Sequence, residues 1–246
     1  RDRSVSRGLG DVYKRQAKQT KEFLQDIISD VSHQLKTPLS ALKMYNEIIG
    51  RSDTDRAAVM DFSQKSLREI KRIEDVVYTL LKLARLDAGI IQMQKAPENI
   101  SVLMQDILER FEVWADRESK TIVLSGDDNT ILHCDALWVS EAVGNIVKNA
   151  LEHTTEGGHI TVRWEQTPLL TQIVVEDNGK GIHPEDLYNI FKRFYRSQFS
   201  QDVHGIGLGL PLAKTIVESH GGTISVTSKI DVGTTFILNF FNLTNK

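Results

Sequence analysis

A long amphipathic helix that contains a proline is the feature that most constrains this chain. Between residues 24 and 49 the apolar side chains recur at alternating intervals of four and three residues, the heptad spacing of helices that pack side by side. The positions of this seam are Leu24, Ile28, Val31, Leu35, Leu42, Tyr45 and Ile49, with Pro38 in step. His33 follows Val31 by two residues, roughly 200° around the helix, and is therefore predicted on the solvent side. A histidine there does not serve packing: it is either an ordinary surface residue or it is displayed to a partner.

A second helical pattern follows over 55–87, after a turn at 50–53. It carries two adjacent apolar seams, which together are wider than one partner helix can cover. The seams are Val59, Phe62, Ile73, Val76, Leu80 and Leu83, and Leu67, Ile70, Val77, Leu81 and Ala84. Two helices joined by a short turn form an antiparallel hairpin. With so much uncovered apolar surface, the hairpin at 17–89 is predicted to be all-α and to dimerise into a four-helix bundle.

The pattern changes near residue 90, and 90–246 is predicted to form a separate α+β domain. Residues 1–16 lack apolar periodicity and are interpreted as a leader or a non-native segment. Within 90–246, strands are expected at 90–94, 121–124, 131–134, 160–165, 172–176, 223–227 and 234–240. Helices are expected at 100–118, capped by Asn99, at 135–153, at 183–190 and at 208–220.

Composition excludes several classes of protein. The 246 residues are 40% apolar and 26% charged, with a net charge of -3, so the basic footprint of a nucleic-acid-binding protein is absent and no nucleic-acid partner is expected. One cysteine, Cys134, cannot form an internal disulfide. There is no run of eighteen apolar residues, so no membrane span is expected in this sequence.

Three polar clusters in the second half could carry chemistry, although each has an ordinary explanation when taken alone. Asn145 and Asn149 lie four residues apart, so both amides share one helix face, and amide oxygens suit Mg²⁺. The alternative is a plain solvated helix face. Asp177 stands before Gly179 and Gly181 in DNGKG, where an aspartate could accept from an exocyclic amine and glycines allow close backbone approach. The alternative is an ordinary turn.

The third cluster is the glycine run GIGLGL at 205–210, at the entry to a predicted helix. Unsatisfied backbone N–H groups at such a helix start can bind phosphate. The run is not the dinucleotide-binding fingerprint, because its spacing is GxGxG and no βαβ unit surrounds it. It is not a P-loop either, because no Gly-Lys-Ser/Thr follows. A lone run of this kind is often a flexible loop.

Taken together and in order, these motifs resemble the catalytic core of the two-component sensor histidine kinases. SHQLKTPL resembles the phosphoacceptor box, NIVKNALEHT the N box and DNGKGI the first glycine box. IFKRFYRS resembles the F box, and GIGLGL the second glycine box. The resemblance covers about residues 20–241. It implies a dimerisation and phosphoacceptor domain at 17–89 and a Bergerat-type ATP-binding α+β sandwich at 90–246.

The resemblance also implies an ATP and Mg²⁺ site. Asn149 would ligate Mg²⁺, with Asn145 assisting near the phosphates. Asp177 would accept from the adenine amine, and the glycines of the second box would flank the triphosphate at the hinge of a lid over 195–207, supported by Phe191 and Phe194. The full set of nucleotide-site residues is Asn145, Lys148, Asn149, His153, Asp177, Gly179, Gly181, Ile182, Arg193, Arg196, Gly205, Gly207, Leu208, Gly209, Leu210 and Thr234.

At the phosphoacceptor box, the resemblance makes His33 the nucleophile that attacks the γ-phosphate of ATP. Gln34 departs from the commonest family pattern, an acid, and glutamine can orient the imidazole but cannot take its proton. Thr37 lies one turn after His33, where the family often places a residue for dephosphorylation of the partner. Glu152 is a second departure, because a basic residue is common there in the N box; Lys148 is a candidate substitute.

The partners implied are a second copy of the chain, bound through 17–89, and the receiver domain of a response regulator. The location implied is the cytoplasmic side of a bacterial membrane sensor. Two alternatives stay open. Gln34 and Glu152 favour a non-catalytic dimeric scaffold that binds nucleotide without transferring phosphate. A Bergerat-fold ATPase without phosphohistidine is disfavoured by the displayed His33.

Overall fold

The computed structural model describes residues 28–51, 55–197 and 205–242. The predicted leader at 1–16, the first turns of the predicted helix from residue 17 and part of the hairpin turn at 52–54 lie outside the described residues. The chain divides into two compact units, Arg1–Val77 and Tyr78–Lys246. Among the described residues, no helix combines the length and apolarity needed to cross a bilayer.

The described residues of the first unit form a pair of long helices. Helix α1 is continuous over 28–49, Pro38 included, and α2 covers Arg56–Asp87, its last turns belonging to the second unit. Asp55 caps α2, because its Oδ1 accepts from the Ala58 N–H at 2.7 Å. The rings of Tyr45 and Phe62 join the two helices, with centroids 5.6 Å apart. The heptad positions therefore meet across a hairpin, as the sequence predicts.

The two apolar seams of α2 differ in exposure. The first seam is buried or half-buried, Val76 and Leu83 completely so. The second seam is open: Leu67 is 63% exposed, Ile70 44% and Val77 41%. A stripe of large apolar side chains along one helix face is energetically unfavourable in water, because each buried side chain of this size gains about 1.5–3 kcal/mol.

The second unit is built on a five-stranded mixed sheet in the order β2-β4-β5-β7-β6. Its strands are β2 (Thr121–Ser125), β4 (His159–Gln166), β5 (Leu170–Asp177), β6 (Thr223–Lys229) and β7 (Gly233–Phe241). Strands β2 and β4 pair in parallel and the other pairs are antiparallel. The parallel pair is not foreseen by the sequence. A separate two-stranded ladder joins β1 (Ala96–Asn99) and β3 (Ile131–Cys134).

Outside residues 198–204 and 243–246, which are not described, this unit has three further helices: α3 (Ile100–Arg117), α4 (Ala136–His153) and α5 (Gly209–Ser219). The side chain of Asn99 accepts from the Val102 N–H, and that of Asp135 from the Trp138 N–H, so the predicted starts of α3 and α4 are confirmed. Apolar faces of the three helices and inward side chains of the sheet are buried together. The largest fully buried side chains from these elements include Met104, Ile146, Leu151, Ile160, Ile173, Leu212, Ile216, Phe236 and Leu238.

Two element predictions are wrong. The strand expected at 90–94 is irregular, and the strand lies at Ala96–Asn99, because the Gln94 N–H donates to the Asp135 carboxylate and not to a neighbouring strand. The short helix expected at 183–190 is a series of turns. Its hydrogen bonds include 2.9 Å from the Asp186 N–H to the His183 carbonyl and 2.8 Å from the Lys192 N–H to the Asn189 carbonyl. Such i to i+3 bonds form turns but no regular α-helix.

Candidate nucleotide site and phosphoacceptor segment

The first wall of the candidate site is the edge of α4 that carries Asn145 and Asn149. The buried face of α4 packs on the sheet and on α5, so both asparagines are left half-buried at its border. The amide nitrogen of Asn145 donates to the Glu141 carbonyl at 2.9 Å. Its Oδ1 faces Gly209 so closely that a Cβ at this glycine would lie 2.9 Å from it. The N-box helix and the second glycine run are therefore adjacent in space.

The second wall is the end of β5, where Asp177 is only 6% exposed. Its Oδ1 accepts from the Gly179 N–H at 2.9 Å. Burial raises the pKa of this carboxyl above its ordinary value, while backbone donors at Gly179 and Thr234 oppose the rise. Thr234 is the β7 partner of Asp177 in the sheet register and is itself buried. The structure thus places the proposed adenine-side residues next to each other.

Ser228 is a polar residue of this corner that the sequence reasoning missed. Its hydroxyl donates to the Gly233 carbonyl and accepts from the Ile182 N–H, both at 2.8 Å, and lies 3.0 Å from the Thr234 hydroxyl. It ties the loop after the first glycine box to the last hairpin. The signal was available in part, because extending the predicted hairpin by one residue places Ser228 opposite Thr234.

The first glycine box fits a crowded turn that larger residues could not occupy. A Cβ on Gly179 would come within 2.4 Å of the His153 carbonyl oxygen. Gly181 has φ +70°, and a Cβ there would lie 2.2 Å from the Lys229 carbonyl oxygen. The Lys180 N–H donates to the His153 carbonyl at 3.2 Å, so the half-buried His153 joins the site through its backbone.

The second glycine run leads directly into α5. Gly205 is exposed, Leu208 is buried, and the other four residues, Ile206, Gly207, Gly209 and Leu210, are half-buried. Gly207 has φ +73°, and its carbonyl accepts from the Phe194 N–H at 2.8 Å. Leu208, at the N-cap position, makes no side-chain capping bond. The first N–H groups of α5 therefore have no side-chain cap and suit an anion, while Leu208 anchors the helix start in the core.

The aromatic segment before the glycine run is anchored on both sides. Phe191 packs edge-to-face on Phe236 with centroids 6.4 Å apart, and Phe194 adopts a left-handed backbone with φ 59°. The Tyr195 hydroxyl donates to the buried Asp186 carboxylate at 2.6 Å, and this bond raises the pKa of Tyr195. Of the predicted lid at 195–207, residues 198–204 lie outside the described part of the chain.

The candidate phosphate-binding cations have other partners. Arg193 forms an ion pair with Asp87 at the end of α2. The Nζ of the exposed Lys148 lies 3.8 Å from Oε1 of the half-buried Glu152, one turn along α4. Arg196 is half-buried after the aromatic segment. The predicted phosphate contacts of these three residues stay predictions.

The donor chemistry of this site fits Mg²⁺ shared with a nucleotide. Among residues 28–51, 55–197 and 205–242 there is no group of three His, Cys, Asp or Glu side chains that could hold a metal. Mg²⁺ commonly binds through one or two protein oxygens, with phosphate oxygens and water completing its shell. The amide oxygen of Asn149, half-buried one turn along α4 from the Asn145 side chain that faces Gly209, is of the donor type that this arrangement needs.

In the first unit, the candidate phosphoacceptor segment lies in the middle of α1. His33 is exposed, as the heptad phase predicts, and Gln34 is half-buried beside it. The Thr37 hydroxyl donates to the His33 carbonyl at 3.4 Å, so Thr37 lies one turn along α1. Pro38 is buried. The imidazole is thus accessible from solvent.

Comparison with known proteins agrees with this geometry. Residues 23–89 match the model of the His Kinase A (phospho-acceptor) domain. Residues 134–245 match the model of the histidine kinase-, DNA gyrase B- and HSP90-like ATPase. The sensor protein kinase PmrB of Pseudomonas aeruginosa is 35% identical over 200 residues, 81% of this chain and 42% of PmrB. The chain spans about half or less of the length of the curated relatives it matches.

Solved structures give the same fold. The histidine kinase AdeS of Acinetobacter baumannii aligns with a TM-score of 0.71 at 20% identity, covering 87% of this chain and 98% of that one. The histidine kinase ThkA, solved in complex with the response regulator TrrA, aligns with a TM-score of 0.75 at 19% identity, covering 93% of this chain and 64% of that one. With the two family models in the expected order, this chain belongs to the two-component sensor histidine kinases and carries their catalytic core.

Proposed function

We propose that this chain is an ATP-dependent protein histidine kinase that phosphorylates its own His33 and passes the phosphoryl group to an aspartate of a response regulator. The observation that carries the proposal is the meeting of Asn145 with Gly209, at the uncapped start of α5, in a chain that exposes His33 on another helix. A phosphate site and a displayed nucleophile are the two parts that phosphoryl transfer needs.

The nucleotide would be held by groups at both ends. Asp177 would accept from the adenine amine, and its burial would favour that bond over one to water. The glycine run and the start of α5 would bind the phosphates through backbone N–H groups. Asn149 would hold Mg²⁺, which when bound would neutralise phosphate charge.

The chemical step is a substitution at phosphorus. A lone pair on a ring nitrogen of His33 attacks the γ-phosphorus, the bond from that phosphorus to the bridging oxygen breaks, and ADP leaves with the electron pair. Imidazole is nucleophilic when neutral, the main form of an ordinary histidine at neutral pH. The ring proton is lost to water, because Gln34 has no basic group to take it. We expect Gln34 to slow the transfer without abolishing it.

The test is incubation of the full chain with γ-labelled ATP and Mg²⁺. We expect a label that is stable to base and labile to acid, and that is lost in His33→Ala and in Asn149→Ala. His133→Ala is the matched control, because His133 is an exposed histidine on β3 that belongs to none of the motifs. Nucleotide binding without any label would identify the non-catalytic scaffold, and phosphate release without label would identify a simple ATPase.

A homodimer follows from the same proposal. The exposed stripe of Leu67, Ile70 and Val77 on α2 would pack against its counterpart in a second copy, as expected for a four-helix bundle formed by residues 17–89. The second partner is a receiver domain: the shared fold of ThkA, which was solved with a response regulator, supports this part of the proposal.

Thr37 supports a second, opposing activity. Its hydroxyl lies beside the His33 backbone on the solvent-exposed side of α1, where it could orient a water toward the phosphoaspartate of a bound regulator. The lifetime of the regulator's phosphate, measured with the full chain and ADP, should lengthen in Thr37→Ala relative to the wild type. Thr37→Ser, which keeps the hydroxyl, should retain the wild-type lifetime; an unchanged lifetime in Thr37→Ala contradicts this role.

A further inference from the structure

His220, the residue that directly follows α5, makes contacts that none of the motifs explains. It is 8% exposed and lies at the C-cap of α5. Its Nε2 accepts from the Asp135 N–H at 3.1 Å, and its Nδ1 lies 2.8 Å from the Ile216 carbonyl oxygen. The ring also packs edge-to-face on Phe240, with centroids 6.0 Å apart. Every side of this imidazole is therefore engaged.

These two backbone partners fix the protonation state of the ring. An N–H group that donates to Nε2 requires a lone pair there, so Nε2 carries no proton. A carbonyl oxygen facing Nδ1 requires a hydrogen there. The ring is thus the neutral tautomer with its proton on Nδ1. A second proton would go to Nε2 and would face the Asp135 N–H donor directly, which breaks the bond and leaves a buried N–H without an acceptor.

Asp135 is the residue that starts α4. Its carboxylate accepts from the Trp138 N–H at 3.3 Å and from the Gln94 N–H at 2.8 Å. The His220 contact therefore links the end of α5 to the start of α4, while Gly209, at the start of α5, faces Asn145. Ten residues of α4 separate these two contacts, about 15 Å along the helix. Two contacts at that spacing set how far α4 can slide along α5.

We propose that neutral His220 is a positioning residue for nucleotide binding, which holds α4 in register with α5 and so keeps Asn145 and Asn149 in line with the glycine run. This role rests on the proposed function, because it acts on the ATP site inferred above. Protonation of the ring would release the start of α4 and weaken nucleotide binding. His220 touches no substrate and acts only through Asp135.

The surrounding charges agree with a neutral ring. Burial lowers the pKa of His220 below the ordinary value of 6.5, and Lys95 acts in the same direction, while the Ile216 carbonyl and Asp135 oppose them. Lys95 also donates to the His220 carbonyl at 3.3 Å. Cys134, next to Asp135, is completely buried, and its pKa is raised to about 12, so it stays a neutral thiol. The negative charge of Glu98 also raises the pKa of Cys134.

The sign of the pH effect follows from this. Because the pKa of His220 is lower in the folded state, the neutral ring contributes fully to folding stability above pH 6.5. That contribution to stability is lost as the pH falls below 6.5 toward the folded-state pKa. ADP binding, in contrast, weakens only when the ring of the folded chain takes up a proton, so His220 should leave the affinity for ADP with Mg²⁺ unchanged between pH 8 and 6.5. Below the lowered folded-state pKa the affinity should fall about tenfold per pH unit, as expected for one coupled proton.

The experiment compares the pH dependence of ADP binding, by calorimetry with Mg²⁺, in the wild type and three variants of the full chain. His220→Gln keeps an acceptor for Asp135 and cannot titrate, so its affinity at pH 8 should stay within about threefold of wild type and should lose the acid-side weakening that His220 causes. His220→Phe keeps an aromatic ring but no acceptor, so it should bind weakly at every pH. His133→Gln, at an exposed histidine, should keep the wild-type profile.

The proposal is overturned if His220→Gln weakens on acidification as much as the wild type, or if folded His220→Phe binds like the wild type at pH 8. If the folded wild type does not bind ADP at all, the proposed function fails. The positioning role then fails as well only if the His220 ring also lacks the described tautomer and the bond from the Asp135 N–H. Ring nitrogen NMR on the same sample decides that point. A proton on Nδ1, together with an Asp135 amide signal that shifts as the ring titrates, supports the contact between His220 and Asp135. A proton on Nε2 refutes that contact.

Discussion

Helices α2 and α4 both carry stripes of apolar side chains, but the stripe of α4 is buried and the second stripe of α2 is exposed. The apolar face of α4 is covered within its own unit, where Val139, Val143 and Ile146 have no exposed surface. The second stripe of α2 stays 41–63% exposed at Leu67, Ile70 and Val77. A stripe that is covered within its own unit contributes to folding of the single chain, whereas an uncovered one can contribute only when a second molecule is present.

The largest effect is expected in the self-contained unit. Phe236→Ala should lower the free energy of unfolding by about 3–5 kcal/mol, because it removes a ring that is 1% exposed and packed against Phe191. The loss should not depend on protein concentration, and chemical denaturation at two concentrations measures both points. Phe241→Ala, at a ring 47% exposed on the same strand, should cost far less. Equal losses in the two variants would contradict this account of the core.

The next effect should appear only between molecules. Ile70→Asp should raise the dimer dissociation constant by roughly a hundredfold, because it puts a charge in the centre of the exposed stripe. Sedimentation over a dilution series measures the constant, and circular dichroism checks that the helices persist. Arg68→Asp adds a negative charge on another face of α2 and should leave the constant nearly unchanged. A wild type that stays monomeric would show that the exposed stripe of α2 does not form a dimer interface.

A smaller effect concerns the buried carboxylate. Asp177→Asn should weaken ADP binding about tenfold, because an amide accepts from the adenine amine without the charge of the carboxylate. Its raised pKa means that the folded state holds a proton more readily than the unfolded chain, so at neutral pH the ionised group opposes folding. The variant should therefore show a higher Tm without nucleotide. A lower Tm together with unchanged affinity would contradict both the burial effect and the adenine contact.

The smallest effect is local. Asn99→Ala should destabilise the second unit by about 1 kcal/mol, because it leaves the Val102 N–H at the start of α3 without its acceptor. Asn99→Asp keeps that acceptor and gives up only the bond from the Asn99 amide to the Asp128 carbonyl. It should cost less than the alanine variant in the same thermal unfolding experiment. If Asn99→Asp cost more stability than Asn99→Ala, the bond to the Asp128 carbonyl, and not the helix cap at Val102, would be the main stabilising contact of Asn99.

Much of the site could be predicted because its signals are local. Asn145 and Asn149 share a face by helix geometry alone, and Asn99 and Asp135 stand where capping residues stand. The heptad phase was enough to predict that His33 is exposed. The short helix at 183–190 failed because its spacing fits a helix, while Asp186 is buried and bonded to Tyr195 nine residues later. The spacing of residues in the sequence does not predict that competing bond.

Residues a few positions apart are enough to predict most of the helices, their caps, the hairpin strands and the order of the motifs. Contacts between groups far apart in the chain depend instead on the folded structure. The parallel pairing of β2 with β4, the ion pair of Arg193 with Asp87 and the bond from Asp135 to His220 join residues from 38 to 106 positions apart. Such contacts form when packing of a whole unit brings two surfaces together, and no local pattern of residues records them.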